Sequence, residues 1–527
     1  MDFPGDYRSL PSGVYRSTLE LFSDFADHSP NSSLWHDVIA RAKPPGEMPP
    51  CEPVAGKEVI LGDFAGGELP RGAALCRRVA RVAEDAGNTA LPDALACELW
   101  QFASGLSASE HLALDVLLRR ALDPVEALAT WPLRAFFNPR EVKWLRQAHR
   151  SEIPAQPAQY KWKPGQDSDY SECVHIIAKV TRRCNLRCMY CHDWRGGPHQ
   201  IMSFAVQAHL FQKALSCPSF GTVHIIVHGG EPTLIGRRAF LRILMLQRWF
   251  RRPGQQVYNH LQTNATTLNA AWIRFLARYR FQVGASIDGP PEIHDRTRSH
   301  ADGRPSFGDV LDGIRKLRNA GLLGGVCLVV TDELVAFGAD RIIRFLQKEG
   351  ITRIGLLAMS PKNRPEGNDH HLDRHAYIRF LLAVHRARQM SQAPWIRVRE
   401  LDAALRSLRG EVPGSCELQG NCFGAVFHVE PNGSVAHCDK FVGDATYTLG
   451  NVLREDFDQM RRGPSARRVA AQLLKNVEPH QACRFFRYCR GWCPHETYLT
   501  QIRGRDVETS SCPLAELFHA LERESCA

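Results

Sequence analysis

Cys184, Cys188 and Cys191 stand as CxxxCxxC within TRRCNLRCMYCHDW, so that three thiolates can converge from one loop on a single corner-sharing metal assembly. Three protein ligands cannot fill the four iron positions of a cubane. One iron would keep an open coordination position, which chemistry at a metal requires. The alternative is a zinc site completed by a fourth ligand such as His192. Tyr190, between the last two cysteines, can equally be a packing aromatic. A second group lies further on: Cys416, then Cys422 opening a Cx10Gx4C pattern through Gly433 to Cys438, then Cys483, Cys489 and Cys493 as Cx5Cx3C, and finally Cys512.

The 527 residues suffice for about three domains, and 44% hydrophobic with 23% charged content is that of a folded globular protein. The start, MDFPGDYRSLPSG, has neither a basic n-region nor an apolar h-region, and no apolar run is long enough to span a bilayer. A cytoplasmic location without membrane contact is expected. In that reducing setting a chain with 17 cysteines binds metal rather than forming disulfides. The isolated ones, Cys51, Cys76, Cys97, Cys173, Cys217, Cys327 and Cys526, read as small core hydrophobes. A net charge of +10 is scattered through helical segments, as at Arg237, Arg238, Arg242, Arg461 and Arg462. These read as solvated helix faces, or as a surface for an acidic peptide or electron donor; no nucleic-acid partner is expected.

Residues 1–150 carry a Pro-rich stretch, AKPPGEMPPCEPVAG, followed by helical periodicity without a catalytic motif. A mostly helical N-terminal domain is expected there, for substrate or partner recognition, with a linker at 151–171. Short apolar runs then alternate with amphipathic ones: HIIAKV (175–180), TVHIIVH (222–228), VYNHLQT (257–263), QVGASI (282–287), GVCLVV (325–330) and RIGLLAM (353–359). Strands apolar on both faces and joined by helices predict an α/β fold with a parallel sheet. Six units fall short of a closed eight-stranded barrel, so an open, partial (β/α)6 barrel is expected over 172–400. In such folds chemistry collects past the carboxyl ends of the strands. The unusual loops are there: the cysteine loop after the first strand, HGGEPT after the second, TNAT after the third, SIDGPPEIHDRTR after the fourth.

CNLRCMYC after a first strand, followed by GGEP after a second, resembles the radical S-adenosylmethionine (SAM) superfamily. In that family the free iron chelates the amino and carboxylate groups of SAM, and an electron from the reduced cluster splits the sulfonium, leaving methionine and a 5′-deoxyadenosyl radical. The resemblance implies that Gly229, Gly230 and Glu231 bind SAM, the glycines by close backbone approach and Glu231 as an anion for the ammonium. It also implies Ser286 as a donor to the ribose and Arg298 as the partner of the SAM carboxylate. The alternative is that Asp288 and Arg298 cap and pair around the next helix. His228 and Asn264 either line the site or are satisfied loop residues.

The later cysteines resemble the SPASM extension of radical SAM peptide maturases, particularly the anaerobic sulfatase-maturating enzymes, where it holds two auxiliary [4Fe-4S] clusters. By that resemblance residues 401–527 form the extension, giving three [4Fe-4S] clusters in all. Cys416, Cys422, Cys438 and Cys493 would hold the first auxiliary cluster, and Cys483, Cys489 and Cys512 the second. The family's later block begins CxxCx5CxxxC, and His480 stands where its leading cysteine belongs. Imidazole ligates iron in Rieske centres; an open iron, another ligand, or loss of that cluster are the other outcomes. Asp439, directly after Cys438, holds the place of the acid proposed in those enzymes to take a proton from the substrate. Its alternative is a structural pairing with Lys440.

These resemblances imply an enzyme that abstracts hydrogen from a side-chain carbon of a ribosomally made peptide or a protein, followed by cross-linking to a macrocycle or by oxidation. A reducing partner such as flavodoxin or ferredoxin is implied. The second enzymatic reading is a sulfatase-type maturase converting Ser or Cys to formylglycine. The non-enzymatic reading is an iron–sulfur electron-transfer or binding protein.

Overall fold

The computed structural model describes residues 137–150, 173–191, 193, 200–252, 255–360, 372–418, 423–441, 444–477, 480–493, 495–496 and 512–526. Most of the expected N-terminal domain, the linker, His192, Cys422 and the isolated Cys51, Cys76 and Cys97 lie outside the described residues.

In chain order the elements are α1 (Pro139–Arg150), β1 (Cys173–Thr181), α2 (Phe204–Ser216), β2 (Thr222–Gly229), α3 (Arg237–Phe250), β3 (Gln256–Thr263), α4 (Ala270–Arg278) and β4 (Gln282–Ser286). Then come α5 (Pro291–Thr297), α6 (Phe307–Asn319), β5 (Leu323–Val330), α7 (Asp332–Phe337), α8 (Ala339–Lys348), β6 (Arg353–Ala358), α9 (Arg374–Met390), β7 (Arg397–Val398) and α10 (Arg399–Leu408). The last third adds β8 (Val426–Val429), β9 (Ser434–Ala436), β10 (Thr448–Asn451), α11 (Phe457–Arg462), α12 (Pro464–Val477), α13 (Phe486–Cys489) and α14 (Pro513–Cys526). Side chains set several helix starts: Ser203 accepts from Val206 N before α2, Asn269 from Trp272 N before α4, and Asp373 from Ala376 N before α9.

The chain forms two compact units. Of the smaller, the described elements are α1 and α3. Asn138 Oδ1 accepts from the Arg140 and Glu141 amides at the start of α1, Arg242 pairs with Glu141 at 2.8 Å, and Trp249 Nε1 donates to Leu145 O at 3.1 Å.

The larger unit holds one sheet in the order β10-β9-β8-β1-β2-β3-β4-β5-β6-β7. The six expected strands are β1 to β6, all parallel and in sequence. The sheet is wider than expected. β7 extends one edge, and β8 pairs parallel with β1 on the other, carrying antiparallel β9 and β10.

A second correction concerns the faces of the strands. On one face Val174, Ile176, Ala178, Val180, Val223, Ile225 and Val227 are each 1% exposed or less. Full burial of such a side chain stabilises by about 2 kcal/mol. The opposite face is polar. His175 pairs across with His224, Lys179 with His228, Ile226 with His260, and Ile177 with His428, so that histidines and a lysine share this side. The rings of His175 and His224 stack at 4.5 Å, and His224 shares a 2.9 Å hydrogen bond with His260. Burial pushes the pKa of His175 down to about 3 and of His224 to about 4.

Arg461 also departs from its expected solvated place. Its side chain is fully buried, bonded to Ser219 Oγ at 3.0 Å and set over the Phe220 ring. Among the described residues no helix is long and apolar enough to cross a membrane.

Candidate functional site

The loop after β1 carries Cys184, Cys188 and Cys191 and is tied down by its backbone. Arg187 N donates to Ser299 O and Met189 N to Thr297 O, which fixes the loop against the end of α5 and the residues just after it. The three thiols lie near enough to feel one another's charge. Burial pushes Cys184 and Cys188 up to about 12, and the neighbouring sulfurs add to the rise. Donors flank them: Leu186 N lies 3.4 Å and Asn264 Nδ2 3.8 Å from Cys184 Sγ, and Arg298 Nη1 lies 3.8 Å from Cys188 Sγ.

Gly229 and Gly230 close the gap between β2 and this loop. A Cβ on Gly229 would meet Thr181 O at 2.1 Å, and one on Gly230 would meet Arg183 O at 2.3 Å. Gly230 N donates to Thr181 O and Glu231 N to Arg183 O. The glycines are therefore required by the cysteine loop's own backbone. Glu231 follows them directly. It is 0% exposed, and its carboxylate accepts from Thr233 N at 3.0 Å, Thr263 Oγ1 at 2.8 Å and Asn264 N at 2.7 Å, with the Thr233 hydroxyl as a further donor. Burial raises its pKa against these bonds. These bonds join the ends of β2 and β3 through its carboxylate.

After β4, Ser286 Oγ accepts from Gln262 Nε2 at 3.1 Å. Asp288 and Arg298 pair, Nε to Oδ2 at 2.9 Å, as the second of the two readings for these residues expects. Tyr190 does more than pack: its hydroxyl donates to Asp288, beside Thr297 Oγ1 at 2.8 Å and Val329 N at 3.0 Å. Burial alone would raise the Asp288 carboxyl, but Arg298, His294 and these donors hold it below its ordinary value. His228 Nδ1 accepts from Gly229 N at 2.7 Å.

The later cysteines divide into two neighbourhoods. Cys438 feels Cys416, and Cys493 feels Cys438; burial pushes Cys438 to about 11 and Cys493 to about 12. Cys489, at the end of α13, feels Cys512 and Cys483, and burial pushes it to about 11. His480 O accepts from Cys483 N at 3.1 Å, and burial lowers the imidazole pKa.

Asp439 does not pair with Lys440. Its Oδ1 lies 3.3 Å from His428 Nδ1 and 3.8 Å from Lys179 Nζ. Lys179, 1% exposed, also meets Asp193 at 2.7 Å and Glu430 at 3.0 Å. His428 Nε2 bonds Glu430 Oε1 at 2.8 Å. Burial would raise Glu430, but His428, Lys179 and Arg182 bring it to about 2. Sequence reasoning missed Lys179, His428 and Glu430. A lone lysine inside an apolar strand, and the His-x-Glu alternation that runs off the end of β8, were the available signals.

The donor set suits iron–sulfur clusters. Nine of the described cysteines fall into three neighbourhoods, Cys184 with Cys188 and Cys191, Cys416 with Cys438 and Cys493, and Cys483 with Cys489 and Cys512. Among the described residues no three metal-binding side chains close around a single ion position. The sulfurs are neighbours by charge, as a multi-iron assembly asks of its ligands.

Comparison with known proteins places this geometry. Residues 178–338 match the radical SAM superfamily and residues 422–490 the SPASM iron–sulfur cluster-binding domain. The chain is 26% identical over 327 residues to a cysteine-type anaerobic sulfatase-maturating enzyme of Clostridium novyi (strain NT), covering 60% of this chain and 87% of that protein. It is also 26% identical over 358 residues to a serine-type anaerobic sulfatase-maturating enzyme of Bacteroides thetaiotaomicron, covering 64% and 86%. The structure of native anSMEcpe with bound AdoMet is similar with a TM-score of 0.56 and 26% identity, over 61% of this chain and 90% of that one. The chain thus carries a radical SAM domain and a SPASM domain, with the SAM-binding and auxiliary [4Fe-4S] clusters such domains imply, and is a radical SAM enzyme.

Proposed function

We propose that this enzyme modifies a side chain of a peptide or protein, with Cys184, Cys188 and Cys191 holding the cluster that binds SAM. When bound, that cluster and SAM supply a 5′-deoxyadenosyl radical for hydrogen abstraction. The observation that carries the reading is the three-thiol loop flanked by the Asn264 and Arg298 donors. Arg298, Ser286, Glu231 and the main chain of Gly229 and Gly230 would meet SAM, with Glu231 also holding that turn in place. Cys416, Cys422, Cys438 and Cys493 are assigned to one auxiliary cluster, and Cys483, Cys489 and Cys512, with His480, to the other. Asp439, set among Lys179 and His428, takes the proton released as the substrate radical is oxidised.

The division into 172–400 and 401–527, recognition of substrate by residues 1–150, a flavodoxin- or ferredoxin-like reductant and a cytoplasmic setting belong to this proposal. A ribosomal precursor peptide cross-linked to a macrocycle is its first form. The second is formylglycine formation, favoured by the similarity to sulfatase-maturating enzymes; equal identity to cysteine and serine types leaves the target residue open.

Anaerobic reconstitution with iron and sulfide, then SAM and dithionite, should yield 5′-deoxyadenosine. The triple Ala variant of Cys184, Cys188 and Cys191 should lose that product and keep the auxiliary clusters; cleavage of SAM by it refutes the assignment. Fragmentation of the product separates a cross-link, lacking two hydrogens, from an aldehyde.

A further inference from the structure

We propose that Arg399 clamps a carboxylate of the peptide being modified, either an acidic side chain or the peptide's own C-terminus. This rests on the peptide reading above and supplies an anchor for it.

Arg399 opens α10, where the helix dipole disfavours a cation. Its side chain is 15% exposed and that of Glu400 is 7%. Glu400 is fixed by β6, since its Oε2 accepts from Leu356 N at 2.9 Å. Glu400 Oε1 accepts from Arg399 Nε at 2.9 Å and also from Nη2, so it occupies one edge of the guanidinium. The other edge, Nη1 and the outer hydrogen of Nη2, has no hydrogen-bond partner among the described residues. Arg298 differs, since its fork reaches both Asp288 and Cys188.

Gly355 makes room for this arrangement. A Cβ there would lie 3.1 Å from Arg399 Cζ, 3.2 Å from Nη2 and 3.3 Å from Nη1. Near-equal distances place the guanidinium plane flat over the β6 backbone, with its remaining edge pointing along the sheet's surface. Two parallel N–H donors on that edge match a carboxylate better than a single carbonyl.

The location favours substrate over SAM. Ser286, Cys327 and Gly355 form one row across β4, β5 and β6. The Cys327 thiol feels both Arg399 and Arg298. Arg298 sits against Cys188, whereas Arg399 feels Glu417, which follows Cys416. Arg399 thus has neighbours on the side of the SAM-site loop, through Cys327, and on the side of the first auxiliary thiols, through Glu417. That placement suits a residue holding a peptide while it is oxidised.

The test uses reconstituted holoenzyme with SAM, dithionite and a pool of short synthetic peptides. Each is made with Asp and Glu, with Asn and Gln in their place, and with its C-terminus free or amidated; mass spectrometry reads modification. Wild type should favour a carboxylate at a fixed distance from the modified residue. Arg399→Gln should raise the KM for favoured peptides about tenfold or more and erase the preference. Gly355→Ala, which keeps the Arg399–Glu400 pair but displaces it, should do the same, and Arg399→Lys should restore part. Sensitivity to Asn and Gln identifies a side chain, and sensitivity to amidation the C-terminus. Equal use of acid and amide peptides overturns the clamp, as does a rise in the KM for SAM in place of the peptide's. Deoxyadenosine without any modified peptide overturns the peptide reading and the clamp with it.

Discussion

The Lys440 ammonium lies 3.7 Å from the Cys493 sulfur, with Glu417 at 3.0 Å and Glu496 at 3.4 Å. Burial works against its charge, yet Cys493 and the two glutamates hold its pKa well above the ordinary value. A cation donating to a cluster thiolate stabilises the reduced, more negative state. Lys440→Met should therefore lower the potential of the auxiliary cluster assigned to Cys438 and Cys493, and Lys440→Arg should recover most of it. Redox titration followed by electron paramagnetic resonance measures this; an unchanged potential removes Lys440 from that role.

Gly230→Ala puts a methyl group 2.3 Å from Arg183 O, in backbone that cannot swing aside. The cysteine loop must shift. The variant should lose SAM cleavage and the iron of that site while retaining the iron of the auxiliary clusters, checked by iron content and spectra of the reconstituted protein.

Asp288→Asn tests the support behind the loop. Asp288 is 0% exposed and receives Tyr190, Thr297 and Val329 N as well as Arg298. An amide cannot offset the buried guanidinium, and breaking such a pair costs about 3–5 kcal/mol. Denaturant unfolding should show a loss of that order, together with weaker SAM binding.

The six strands were legible because each is an apolar run of strand length ending at an odd loop. Their polar face was legible too, and misread. His175 and Lys179, His224 and His228, and Tyr258 and His260 recur with a strand's alternation, yet the intervening Ile and Val dominate the composition. β8 was hidden because VFHV is only four residues long and its pairing with β1 spans some 250 positions. The glycines and cysteines of the site stood out by spacing. Where Glu231 points did not, since sequence gives a carboxylate but not which backbone amides surround it. Arg399 and Gly355 are 44 positions apart, and only the fold stacks them.

Three stacked histidines should make the fold acid-sensitive. Burial depresses His175, His224 and His260, so the fold holds them neutral while the unfolded chain protonates them below about pH 6.5. Stability is then full above that pH and declines as pH falls through it, by roughly 4 kcal/mol at pH 5.5 for the three together. Urea unfolding at pH 8 and 5.5 measures the decline, and His260→Gln should shrink it by about a third.

Asp439→Asn separates a chemical role from a structural one. Lys179 would keep Asp193 at 2.7 Å and Glu430 at 3.0 Å, and His428 would keep Glu430, so the buried cluster survives loss of one charge. The fold and the iron content should therefore hold, and 5′-deoxyadenosine should still form. Modified product should fall by about 10²–10⁴-fold, the usual contribution of a positioned base. If product formation keeps pace with SAM cleavage, Asp439 only balances the Lys179 charge, and the proton leaves the substrate by another route.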